Sequence, residues 1–387
     1  MILQVFFWLC IFAIFHSYVL YPIILQILAI GKKENLNIYL TEDDFPPVSV
    51  LVAVYNEESV IEEKIRSVFS GNYPASKIDF IVGSDGSTDN TDIILEKLVN
   101  EFPQLRFFPL KHRMGKGNVL NTIVKEAKNG ILIYTDAKVI FGTDTVYQLA
   151  KHFKEPVIGL VGGKLLNKVR IAAGISIQEN AFMSREFVMK YQEGLIWGSM
   201  VGAYGALYAI RKSLVPVIPI SFIVDDFYIT LKVFEGSEKA ILNPDAIGYL
   251  NVPNEMKEEY RRKVRIAKGN FQNMFAFLHI LWPPWKGKAF SYLSHKVLRW
   301  LGPFFIISIF LCNIFLLDKG FLFILTFSFQ IILLIIPALD YALRKFGIHI
   351  LFLRFITHFY SMNAALFIGF LNYLKGIKSN VWEPTKR

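Results

Sequence analysis

In the stretch VDDFYIT, residues 224–230, Asp225 and Asp226 stand side by side where an apolar run meets the start of a helical pattern. Adjacent like charges repel and resist burial, so a carboxylate pair framed by Phe222, Ile223, Val224 and Phe227 calls for a task. One such carboxylate can take a proton from a hydroxyl, while its neighbour raises its pKa or orients it. The structural alternative is a helix N-cap, because DDFYITLKVF starts a helix and acids favour that end, and both tasks can coexist. Three more polar clusters lie upstream: Asn56-Glu57, Asp85-Gly86 and Asp136. Taken singly, each could be an Asx turn or a helix cap, as in DGSTDNT.

The elements around these clusters explain their spacing. VSVLVAVYN is a short Val-rich run, followed by EESVIEEKIRSVFSG, in which Val60, Ile61, Ile65, Val68 and Phe69 recur at helical spacing. IDFIVGSDGS and DNTDIILEKLVNEF repeat the strand and helix, and LRFFPL, GKGNVLNTIVKEAKNG and ILIYTDA continue the alternation. The pattern predicts an α/β domain over residues 45–290, with a mostly parallel sheet and helices on both faces. Ligands of such sheets bind outside the carboxyl ends of the strands, where all three clusters fall.

No G-x-G-x-x-G follows the first strand and no G-x-x-x-x-G-K-[ST] occurs, so a glycine loop does not cradle phosphate here. Carboxylates at strand ends repel a diphosphate unless a divalent cation bridges them or they meet base and ribose, which points to a nucleotide-sugar site. Lys116 in GKGN reads as a phosphate contact or as a solvated turn lysine. Glu179 and the cluster SREFVMKYQEG read as helix-surface charge. Gly202 and Gly205 in VGAYGALYAI mark a close backbone approach or a tight strand entry.

A hydrophobic fraction of 53% and a mean hydropathy of +0.39 exceed those of a purely soluble enzyme, and the excess sits at the two ends of the chain. Residues 1–31 read as an uncleaved anchor followed by Lys32-Lys33, longer than the roughly 20 residues a bilayer needs. Residues 291–375 read as a membrane region of two or three segments, 301–317 and 321–338 crossing, and 376–387 as a basic tail. The stretch 348–374 carries Arg354, His358 and Asn363, and crossing, re-entrant and interfacial readings all stay open. The distribution of Lys and Arg puts the central domain in the cytosol, the amino terminus outside, and the protein in the plasma (cell inner) membrane as a multi-pass chain. The net charge of +10 fits anionic headgroups or an anionic substrate better than nucleic acid. Cys10 and Cys312 both lie in apolar segments, so no disulfide framework or cysteine metal site is expected.

VSVLVAVYNEE, SDGSTDNT, GKGNVLN, YTDA, VGGKL, GAYGALYAIRKSL, VDDFYIT and YRRKVRIAKGNFQ occur in an order and spacing similar to the family 2 glycosyltransferases, in particular the membrane-embedded branch that includes cellulose, hyaluronan and poly-N-acetylglucosamine synthases. The resemblance covers residues 45–290 and implies a GT-A-type fold flanked by transmembrane helices. It implies that Tyr55 and Glu57 line the nucleobase and ribose pocket, that Asp85 contacts the base or ribose, and that Asp136, first acid of the D-x-D element, holds Mg²⁺ or Mn²⁺ on the diphosphate. It places Asp226 at the catalytic base of the T-E-D element, Asp225 at its Glu, and Arg262 to Ile266 on the Q-x-x-R-W element, with Arg265 at its Arg.

Two departures stand out. Lys138 replaces the second acid of D-x-D, so either Asp136 alone holds the cation or the ammonium supplies part of its charge. Arg262 and Ile266 replace the Gln and Trp, which weakens the case for processive extension. The expected function is inverting transfer from a UDP-sugar to a glycan or lipid-linked acceptor in surface polysaccharide synthesis, with lipids and export partners or further copies of the chain around it. Single addition to a lipid, and a non-catalytic nucleotide-sugar-binding subunit, are the alternatives.

Overall fold

Val-rich runs without polar interruption make the centre of the sheet. β1 (Val48–Val54) and β2 (Ile78–Ser84) are buried at every position, as strands covered on both faces must be. The computed structural model describes the backbone of residues 1–167, 176–250 and 256–377, and side chains except those of 176–181 and 256–259. The Glu179 side chain and the tail from 378 onward therefore lie outside what is described. The remaining strands are β3 (Leu105–Pro109), β4 (Ile131–Thr135), β5 (Ile140–Phe141), β6 (Ile158–Asn167), β7 (Leu207–Arg211) and β8 (Lys239–Leu250).

They form one eight-stranded sheet in the order β3-β2-β1-β4-β7-β6-β8-β5. Its first four strands are parallel, as the alternating sequence predicts. β7 is antiparallel to both β4 and β6, β8 is parallel to β6, and β5 is antiparallel to β8. The second half is mixed because the chain enters β7 from a loop at the carboxyl end of β4, where Leu207 pairs with Thr135, and not through a crossover helix. Alternation along β1 splits the core, Val48, Val50, Val52 and Val54 facing one helix layer and Leu51 and Ala53 the other.

At the amino end, α1 (Ile2–Phe15), a π-helical turn and α2 (Tyr21–Ala29) run on as a 28-residue apolar stretch. The sheet is covered by α3 (Ile61–Phe69), α4 (Thr91–Glu101), α5 (Lys116–Glu126), α6 (Thr145–Ala150), α7 (Ser176–Trp197), α8 (Asp225–Glu235) and α9 (Met256–Ala276). Beyond it come α10 (Gly287–Tyr292), α11 (Leu298–Trp300), α12 (Gly302–Ile314), α13 (Phe321–Lys345) and α14 (Leu351–Leu374). Among the described residues, Ile2–Ala29, α13 and α14 are long and apolar enough to cross a membrane. The segment expected at 301–317 is the shorter α12, bent by 60° from the stretch Gly287–Trp300 that precedes it.

α1 and α12 pack side by side, Phe7 and Cys10 against Ile309, Cys312 and Leu316, with Phe323 of α13 closing the far end. α14 takes no part in that cluster. It packs along α13 and on α9: Phe370 meets Phe271 at 5.1 Å between ring centroids, Tyr373 stacks on Phe275 at 5.5 Å, and Lys268 donates to the Gly376 carbonyl at 3.0 Å. Further back along α14, Phe367 reaches Phe304 in the first turn of α12, and Phe359 reaches Tyr18.

Three of the four charges of SREFVMKYQEG are buried, contrary to the sequence reading, and Arg185 alone of them is exposed. Glu186, Lys190 and Glu193 recur three and four residues apart on one buried face of α7. The His295 ring bridges them, Nδ1 2.6 Å from Glu193 Oε1 and Nε2 3.0 Å from Glu186. Glu186 also accepts from Lys296 and Arg299, and Glu193 accepts from the Tyr21 hydroxyl at 2.7 Å and from the Val201 N–H at 3.0 Å. Their partners lie about a hundred residues or more away in the chain, apart from Val201, so no local pattern could reveal the pairing.

Candidate active site

Three loops at the carboxyl edge of the sheet are laced together. Asn56, at φ 54°, accepts from the Thr88 N–H at 2.8 Å, and the Glu57 N–H donates to Thr91 Oγ1 at 2.8 Å. This joins the loop after β1 to the loop after β2. Asp85 is fully buried, and its two oxygens accept from the Met114 N–H at 2.6 Å and the Gly115 N–H at 2.9 Å. Its observed task is to hold the turn that opens α5, where Gly115 at φ +86° takes a backbone conformation that a side chain would strain. Tyr55 lies under the Arg113 guanidinium, 3.8 Å from the ring centroid, which makes a flat wall beside this edge.

Lys116 opens α5 and reaches across to β4, its Nζ 2.8 Å from Asp136 Oδ1. Burial works against its charge, but Asp136, Asp225 and Asp226 outweigh it and push the ammonium pKa up. Lys138 turns back to Glu57, with Nζ 3.3 Å from Oε1. Beneath them, Lys64 donates to Thr135 Oγ1 at 3.0 Å and the Val139 carbonyl at 2.7 Å, clamping the loop that carries Asp136 and Lys138. Lys64 shares the buried helical face of Ile61, Ile65 and Val68, a sequence signal that the apolar pattern alone passes over.

Asp225 and Asp226 form the first turn of α8, whose N-cap is Val224 and has no side-chain cap. The N-cap alternative is thereby replaced by a first-turn position, where the helix dipole favours negative charge. Two elements fix the pair. From α9, Asn273 donates to the Val224 carbonyl at 3.1 Å, and Gln272 holds Ser221 and Ile223. From the loop before β7, the backbone comes so close that a Cβ on Gly205 would sit 2.7 Å from Asp226 Oδ2. The same loop is pinned by Thr230 at the Ala203 N–H and by Glu193 at the Val201 N–H. Burial first, and the Asp225 charge second, push the Asp226 carboxyl up to about 6, against the pull of Lys116.

Arg265 stands on α9 within electrostatic range of Asp225 and Asp136, and Arg262 lies one turn before it. The expected residues Tyr55, Glu57, Lys116, Asp136, Asp225, Asp226, Arg262 and Arg265 thus collect along one rim of the sheet, with Asp85 behind it. Among the described residues, no group of three or more His, Cys, Asp or Glu side chains is arranged to hold a metal ion.

Gly205→Ala is expected to push the Asp226 carboxylate aside without unfolding the domain, because the methyl group meets a side chain and not the sheet. A displacement near 1 Å at a reacting group costs on the order of 10²-fold in rate. Turnover with unchanged thermal stability and nucleotide affinity is the measurement.

A solved mannosyltransferase of Pyrobaculum calidifontis, in complex with GDP-Man and Mn2+, shares this fold, with a TM-score of 0.71 over 96% of this chain and 99% of that one at 21% identity. The fold is that of the GT-A glycosyltransferases. The pattern described as Glycosyl transferase family 2 matches residues 49–200, and the chain carries a glycosyltransferase domain of that family. The poly-beta-1,6-N-acetyl-D-glucosamine synthase of Staphylococcus aureus is 28% identical over 250 residues, 63% of this chain and 58% of the synthase. That of Staphylococcus epidermidis is 28% identical over 251 residues, with the same coverage. The chain therefore spans less than two thirds of the length of these curated relatives.

Proposed function

We propose that the protein transfers a sugar, with inversion, from a UDP-sugar to a hydroxyl of a glycan or lipid-linked acceptor at the cytosolic face of the plasma membrane. The observation that carries this reading is the setting of Asp226: a carboxylate with a raised pKa, held between α9 and a glycine approach, beside a cationic rim. Tyr55 and Arg113 offer a flat wall for the base, and Glu57 stands near enough to Lys138 to orient the ribose side. The acceptor oxygen attacks the anomeric carbon while Asp226 removes its proton. The bond to the diphosphate breaks, and the released negative charge meets Lys116 and Arg265.

The donor set at Asp136 does not fit a resident divalent cation. Mg²⁺ takes one or two carboxylates together with substrate phosphates at about 2.0–2.1 Å. Here the Asp136 carboxylate already holds an ammonium at 2.8 Å, and the position two residues on is a second ammonium.

Asp226 must be ionised to act as a base, so kcat/KM is expected to fall as pH drops through about 6 and to level off above it. Asp225→Asn removes a like charge, and the acid limb is then expected to move to lower pH. A pH profile of each variant reads both effects.

α14 supports a membrane placement with three crossings. It is long and apolar enough to cross, and it packs along α13 as well as on α9 and the first turn of α12. With Ile2–Ala29, α13 and α14 crossing, the amino terminus is outside and the carboxyl terminus cytosolic. A carboxyl-terminal tag is expected to be digested in inside-out vesicles and protected in intact cells, and the opposite pattern would make α12, with the bent stretch before it, a fourth crossing. Three crossings in one copy enclose no channel, so export of a growing polymer would need a partner or further copies.

The direct test is nucleotide diphosphate release from a panel of UDP- and GDP-sugars by the purified protein with native lipid. Release from none of them, with nucleotide still bound, would favour the binding-subunit alternative.

A further inference from the structure

We propose that Lys138 and Lys116 supply the positive charge that a divalent cation would bring to the diphosphate, so that sugar transfer at this site proceeds without a metal. The inference rests on the transferase reading above and concerns how that site handles its leaving group.

Lys138 stands where the D-x-D element has its second acid, and its Nζ points back into the rim, 3.3 Å from the buried Glu57. Lys116 lies on the other side of Asp136 at 2.8 Å. Asp136 thus has Lys116 at its carboxylate and Lys138 two residues further along its own loop. A cation bound to the Asp136 oxygen would lie within a few ångströms of the Lys116 ammonium, and two like charges at that range disfavour each other. The same lysines are well placed for an anion. An ammonium has three donors, Lys116 spends one on Asp136, and a partly buried site strengthens each charge-assisted bond. Lys64 fixes the backbone of the loop that carries Lys138 from below, through the Thr135 hydroxyl and the Val139 carbonyl. The loop can therefore present its lysine in one place.

The reaction balances without a metal. The acceptor oxygen forms its bond to the anomeric carbon, the bond from that carbon to the diphosphate oxygen breaks, and its electron pair leaves with the diphosphate. The proton passes to Asp226. Lys116 and Lys138 stay protonated throughout and act by charge alone.

The experiment uses the full chain in lipid nanodiscs, stripped with EDTA. UDP and GDP binding are measured by calorimetry with EDTA and with Mn²⁺, and nucleotide diphosphate release is followed under both conditions. Affinity and turnover are expected to differ by less than about threefold between the two. Lys138→Met is expected to weaken binding of the preferred nucleotide by about 10-fold or more, on the scale of one lost charge-assisted bond. Lys138→Asp, which restores the second acid, is expected to make that binding depend on Mn²⁺. Nucleotide binding or turnover that appears only with Mn²⁺ in the wild-type protein would overturn the proposal. So would a Lys138→Met protein that binds as well as wild type. Metal-free nucleotide binding with no sugar transfer under any condition would instead sink the transferase reading and leave the charge assignment standing.

Discussion

Asp226→Asn is expected to lower sugar transfer by roughly 10²–10⁴-fold, the range for loss of a general base, while nucleotide affinity stays within a few-fold. The substitution keeps the shape of the side chain, so the contact with Gly205 and the first turn of α8 are preserved. What it removes is the basic oxygen. Its neighbour cannot take over from the same place, because adjacent helical residues point about 100° apart around the axis. Asn at 226 also removes a negative charge beside Lys116, so a modest gain in nucleotide binding fits the same picture. An equal loss of turnover and of nucleotide affinity would mean that the residue holds the donor and is not the base. Measuring both on one preparation separates these roles.

His295→Ala is expected to cost about 3–5 kcal/mol, the range for removing one partner of a buried ionic pair. The ring is fully buried, and each of its nitrogens meets a carboxylate. Without it, Glu186 and Glu193 face a cavity with their charges less compensated, although Lys296, Arg299 and Tyr21 remain. For a domain of this size the loss corresponds to a fall in melting temperature of roughly 6–20 °C. The effect reaches the site because Glu193 also holds the Val201 N–H in the loop that approaches Asp226. Thermal unfolding in detergent and turnover below the transition are the two readings. A melting temperature unchanged from wild type would show that the network is not under tension from its charges.

Much of this was legible from residues alone. β1, β2 and β4 announced themselves as short apolar runs, and Asn56-Glu57, Asp85 and Asp136 fell at their carboxyl ends because polar residues at those points have no place in the sheet. The start of α8 at Asp225 followed from the change of period after Val224. Long-range pairing was not legible. That Asp85 turns inward to hold Met114 and Gly115, or that Glu193 joins Tyr21, His295 and Val201, depends on contacts between segments far apart in the chain. The reversal of β7 was hidden for a similar reason, since LYAI is equally apolar in either direction. Hydropathy likewise rates α14 as long enough to cross, but its packing on α13, α9 and Tyr18 is visible only in the fold.

The most direct test is the anomeric configuration of the product. With an α-linked UDP-sugar and a supplied acceptor, proton NMR of the first product formed is expected to show a β-linkage together with stoichiometric UDP. An α-linked first product, or release of pyrophosphate in place of UDP, would contradict direct displacement with Asp226 as the base.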